Sequence, residues 1–192
     1  MANVDKAFGL RPLGNLSATG AQKQYGYLIE DNQAGAIFQG DLVTIVGGFV
    51  VKFLPGTHAA ALGVFNGCNY IDPTTGKPTF KNFYPGSVNI TQGEISADVM
   101  DDPSQLFIIQ ADEDIVQADI GKNADVVGTG GSTTTGVSSM ELDSSTIADT
   151  AALNLKIVGL YNVPGNTLGD FAVVVVKINE HLYGSTGVKA VT

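Results

Sequence analysis

Phe171-Ala-Val-Val-Val-Val-Lys-Ile178 is the stretch on which the fold class turns. Its β-branched side chains are stiff at χ1 and suit a pleated surface better than a helix. With so few polar side chains it reads as a central strand buried on both faces. Its longest purely apolar part, Phe171 to Val176, falls far short of the roughly 20 residues a membrane-spanning helix needs. Just upstream, Leu153 to Tyr161 alternates: Leu153, Leu155, Ile157 and, after a slip at Val158, Leu160 stand against Asn154, Lys156 and Gly159. That is the period of a half-buried strand.

Outward from this pair the same short-run pattern continues. Gln24 to Ile29 is a predicted strand, and Ala36 to Ile45 is another, interrupted at Gly40-Asp41 by a bulge or a bend. Gly47-Gly48 before Phe49-Val-Val-Lys-Phe53 has the form of a two-residue hairpin turn. Ala61 to Tyr70 follows, and the turn chemistry of Asp72-Pro-Thr-Thr-Gly-Lys-Pro78 separates Cys68-Asn-Tyr-Ile71 from Phe80-Lys-Asn-Phe-Tyr84, giving a hairpin with a long tip. Ile95 to Met100 and Leu106 to Gln110 are joined by Asp101-Asp-Pro-Ser104. Residues 113–121 read as a short helix capped by Asp112, and Gly128 to Gly136 as a flexible polar loop. No segment carries a sustained helical stripe. The expected fold is all-β or mainly β, about ten short antiparallel strands in a sandwich or barrel with an extended N-terminal arm.

That arm is residues 1–20, ahead of a β-rich body over 21–192. Gly9, Pro12, Gly14 and Gly20 should break regular structure, yet Phe8, Leu10, Leu13 and Leu16 make the segment too apolar for a free linker. Two readings stand side by side: an arm that docks on a partner, or a tail packed on its own domain. In the docking reading Phe8, Leu10, Pro12 and Leu13 are apolar anchors. Arg11, the only arginine in the chain, supplies a guanidinium fork for a carboxylate.

Composition excludes several functions. At 192 residues the chain can bury a core without staples. A formal charge of −9 argues against nucleic acid and anionic membranes as partners, both of which call for a cationic footprint. The single Cys68 permits no intrachain disulfide, and the start of the chain lacks the basic and apolar runs of a signal peptide, so folding in the cytosol is expected. His58 and His181 have no partner at zinc-ligand spacing, and no cofactor is expected. Asp98…Asp101-Asp102 and Asp112-Glu113-Asp114 lack the alternation of an EF-hand and read as solvated loops. Gly128-Thr-Gly-Gly-Ser132 lacks the lysine of a phosphate loop. So sparse an inventory of nucleophiles and bases predicts a protein that is not an enzyme.

The chain also reads Met1-Ala-Asn…Ala7-Phe-Gly-Leu-Arg-Pro-Leu13, then Gly63-Val-Phe-Asn-Gly-Cys-Asn-Tyr70, Tyr84-Pro-Gly86, Leu155-Lys-Ile-Val-Gly-Leu160 and Phe171-Ala-Val-Val-Val-Val-Lys-Ile-Asn-Glu-His181. In this order the phrases resemble a group of small virion proteins of tailed bacteriophages, the capsid decoration or cement proteins. The resemblance implies a β-rich homo-oligomer, commonly a trimer, synthesised in host cytoplasm and bound to the major capsid protein on the outer capsid surface of a virion. It implies no catalytic residue. Tyr70, Phe80, Phe83 and Tyr84 around the long hairpin are candidates for core or trimer contacts, since such rings bury much area. Two alternatives remain: a carbohydrate- or host-receptor-binding β-sandwich using those rings as a platform, or a tail, head-fibre or adaptor subunit.

Overall fold

The computed structural model describes residues 3–16, 24–128 and 130–184. In chain order its strands are β1 (Arg11–Asn15), β2 (Gln24–Ile29), β3 (Leu42–Val46), β4 (Phe49–Lys52), β5 (Gly63–Ile71), β6 (Pro78–Lys81) and β7 (Ile95–Met100). There follow β8 (Gln105–Gln110), β9 (Asp114–Ile115), β10 (Asn123–Val127), β11 (Glu141–Ala148), β12 (Leu155–Leu160), β13 (Gly169–Asp170) and β14 (Val173–Ile178). Among the described residues the molecule is nearly all β, with two six-stranded sheets and a two-stranded one.

One sheet runs β1-β8-β14-β12-β10-β11. The valine run lies at its centre, as the sequence implies, but only one face is fully covered: Val174, Val176 and Ile178 are buried while Val173, Val175 and Lys177 are half-buried. The strand begins later than expected because Phe171 adopts a left-handed φ of 57°. Next to it, β12 carries a register shift between Ile157 and Gly159, the place where the alternation slips. The other sheet runs β3-β4-β2-β7-β5-β6, and β3 also pairs with β5. Five strands thereby close into a ring, with β6 attached outside it. Gly47 and Gly48, at φ 59° and 90°, make the tight turn that sets Val46 opposite Phe49, a geometry only residues tolerant of positive φ adopt readily.

Two cores result. One fills the ring with Val43, Phe65, Val99 and Leu62 among others. The other lies between the ring and the first sheet, where Leu42, Val64 and Met100 meet Phe107, Leu155 and Val176. Consecutive residues of one strand serve both, Leu42 then Val43 and Val64 then Phe65, because side chains alternate across a strand.

Several expectations are corrected. Residues 113–121 are not a helix: Asp114–Ile115 pair with Gly169–Asp170, and only a single 3-10 turn follows at Gln117–Asp119. Asp112 caps nothing there; its Oδ1 accepts the Ser144 backbone N–H at 2.9 Å. Ala36 to Ile45 is a strand only from Leu42, because Gly40 at φ 96° turns the chain, so the interruption is a bend. The described part of the Gly128–Gly136 loop is fastened: Ser132 N bonds to Val137 O, Gly136 N to Ser132 O, and Asn82 Nδ2 to Thr135 O.

The largest correction concerns the N-terminal segment. Residues 3–16 run extended along the body and belong to it. Leu10 N donates to Gly40 O at 2.9 Å, and the Leu10 side chain lies in the core between ring and sheet. Gly9 and Gly40, both at positive φ, make the fit possible: a Cβ on Gly9 would come within 2.7 Å of Gly40 O. Pro12 and Gly14 do not prevent β1 from forming. Proline is tolerated on an outermost strand, and the register shift between Pro12 and Gly14 leaves Leu13 as a bulged extra residue. Of the two readings, the structure selects the tail packed on its own domain for the described residues.

Candidate interaction surface

The five docking candidates separate once β1 is seated. Leu10 is buried and drops out. Arg11, Pro12 and Leu13 are exposed, and Phe8 is half-buried. The Arg11 guanidinium lies 4.5 Å from the Phe8 ring centroid, a cation–π contact that holds both side chains over one patch. Grooves open on either side. One, of about 380 Å³, runs between this pair and Gln39, Asn66 and Met100. The other, of about 450 Å³, is bounded by Lys6, Phe8 and Arg11 on one wall and by Ser132, Thr135 and Ser139 on the other. Sequence reasoning missed Lys6 and the hydroxyl loop, because the loop resembles a linker in composition and meets the N-terminal segment only in space.

The aromatic candidates separate as well. Tyr70 and Tyr84 are core residues, so neither is a contact between copies. Tyr84 hydroxyl donates to Gln33 O at 3.0 Å, which ties the residue 33–37 turn to the ring. Phe83 stacks on Phe38 with ring centroids 5.6 Å apart, and Lys52 and Lys81 lie over the outer rings at 5.1 and 5.9 Å. Phe80 alone is largely exposed, at 57%.

Beneath the N-terminal patch lies a buried polar knot. Asp41 is fully buried and accepts from Lys52 Nζ at 2.8 Å, from Ser138 Oγ at 2.6 Å and from the Phe38 backbone N–H at 2.8 Å. Burial pushes its carboxyl above the ordinary aspartate range, and the Lys52 ammonium pulls it back down. The knot joins both ends of the β3–β4 hairpin to the loop ahead of β11, which is distant in sequence. It is the scaffold on which Gly9 and Leu10 rest.

Two further carboxylates brace the body. Asp102 accepts the Ser104 backbone N–H at 2.7 Å and the Asn15 side chain at 2.5 Å, and Asp101 accepts the Tyr27 hydroxyl at 2.8 Å. These carboxylates fasten the crossing from one sheet to the other. His181 is buried, and Cys68 is fully buried with its thiol pushed up to about 12 by burial. Such a thiol is inert at neutral pH. Among the described residues, no group of three His, Cys, Asp or Glu side chains is placed to hold a metal ion. No protein-family model, curated protein or solved structure matches the chain.

Proposed function

We propose that the protein is a virion structural component that decorates a capsid, binding the lattice of the major capsid protein from outside and stabilising the shell. The observation that carries this reading is the patch around Phe8, Arg11, Pro12 and Leu13: Arg11, Pro12 and Leu13 are exposed on β1, beside the half-buried Phe8 ring, on a segment held fixed by its own core. A fixed patch loses little conformational freedom on binding. A ligand that binds the assembled lattice and not free subunits stabilises assembly by mass action, and many copies reinforce one another. The resemblance to decoration proteins supports the same reading, and with it a homotrimer. No reaction and no cofactor are assigned.

The test is cosedimentation of the pure protein with capsids lacking it, together with native mass spectrometry. Saturable binding at a fixed ratio to capsid subunits, weakened in Arg11→Ala, is expected. Absence of binding at any concentration refutes the reading, and a stable dimer or hexamer refutes the trimer. A glycan-binding module is less well supported, since among Tyr70, Phe80, Phe83 and Tyr84 only Phe80 offers an open ring face.

A further inference from the structure

The protein carries 19 acidic residues against 10 basic ones, so a groove lined by two cations and no acid runs against its overall charge. Lys6 and Arg11 are both exposed, and among the described residues neither makes an ion pair. They line the same 450 Å³ groove, and no acidic residue lines it with them. The facing wall is built from hydroxyls. Ser132 Oγ accepts the Thr135 backbone N–H at 3.2 Å and Thr135 Oγ1 accepts that of Val137 at 3.4 Å. In each case the oxygen is used as an acceptor and the hydroxyl hydrogen remains available to donate. Ser139 adds another hydroxyl beside them. Ser138, which also lines the groove, already donates to Asp41, but every other polar side chain there can donate to an acceptor placed in it, and the Phe8 ring adds an apolar wall.

We propose that this groove binds an extended acidic segment of a partner protein, with a carboxylate gripped between Arg11 and Lys6. Arginine offers a planar fork that matches a carboxylate in a bidentate pair, lysine adds a point charge, and the hydroxyls opposite take the remaining lone pairs. The geometry reverses the docking-arm idea. The N-terminal segment forms one wall of a receptor, and the partner supplies the moving strand. That this partner belongs to a capsid rests on the function proposed above; the carboxylate specificity does not.

The experiment uses the full chain and two labelled decapeptides of alternating Glu and Leu or alternating Gln and Leu, followed by fluorescence anisotropy. The Glu peptide should bind saturably and weaken as salt is raised, and the Gln peptide should bind at least about tenfold more weakly. Lys6→Gln/Arg11→Gln should lose about tenfold or more for the Glu peptide. Lys77→Gln, at the exposed tip between β5 and β6 and outside the groove, should change nothing. Unaltered thermal unfolding of the double variant would show that a loss is local. Equal binding of the two peptides, no binding of either, or an unchanged double variant overturns the proposal. Adding capsids separates the two readings. If capsids bind but the Glu peptide neither binds nor competes, the groove proposal fails and capsid decoration stands. If the peptide binds while capsids do not, the reverse holds.

Discussion

His181 is 4% exposed, and its Nδ1 accepts the Tyr183 backbone N–H at 3.0 Å. The neutral ring must then carry its proton on Nε2, which is buried without a partner. Burial lowers the imidazole from its ordinary 6.5 to about 4; Asp102 opposes the fall and Lys177 adds to it. Between these values the unfolded chain binds a proton that the folded one does not. The stability His181 contributes is complete above about pH 6.5 and is lost as pH falls through about 4, on the order of 3 kcal/mol in all. Thermal unfolding measured across that window should fall more steeply for the native chain than for His181→Gln. Parallel curves would show that the ring is not the cause. Asp41 titrates in the opposite sense: its raised carboxyl favours the folded state when protonated, so ionisation opposes folding unless Lys52 answers it. Lys52→Met should therefore cost about 3–5 kcal/mol at neutral pH, as a buried charge left alone does. Urea unfolding should show that cost shrinking in acid, and a cost that does not change with pH would contradict the assignment.

At the scale of elements, β1 is the strand whose role changes most. Leu10 fills the core beside Phe107 and Met140, so Leu10→Ala should cost about 2–5 kcal/mol. Arg11→Ala, at the surface, should stay within about 0.5 kcal/mol. Removal of residues 1–16 strips β8 of its neighbour, and the product should aggregate or unfold at a much lower temperature in circular dichroism. A truncated chain with unchanged unfolding would restore the free-arm reading. The sequence made the hairpin at Gly47-Gly48 and the slip at Val158 legible, because both are local: two glycines dictate a turn, and a broken alternation marks a bulge. It did not reveal β11. Glu141-Leu-Asp-Ser-Ser-Thr-Ile-Ala148 is mostly polar, and its hydroxyls bond close by, as Thr146 Oγ1 does to Asp143 O at 2.8 Å. Such a segment becomes an outermost strand through pairing with β10, which no local pattern announces. The groove of Lys6, Arg11 and Ser139 was illegible for the same reason. The arginine and its chemistry could be read, but the opposite wall comes from over 120 residues away in the chain.

For the molecule as a whole, shared walls matter more than the number of sheets. β3 and β5 give alternate side chains to the two cores, and Asp41 ties them at one end. Neither core can open while the other stays intact, so heating should give one transition in which calorimetric and van't Hoff enthalpies agree. Two resolved transitions would mean that the ring and the flat sheet are separate folding units.

The closure of β3 on β5 has a further consequence for how copies of the chain meet at high concentration. Within the ring every strand has two neighbours, so among the described residues the open margins are left to β6, to β11, to the short β9–β13 pair and to β1, where Pro12 has no amide hydrogen to offer. Backbone pairing between copies is then confined to those few margins. Runaway accretion of strand upon strand, the hazard of concentrated β proteins, is blunted by topology before any surface charge acts.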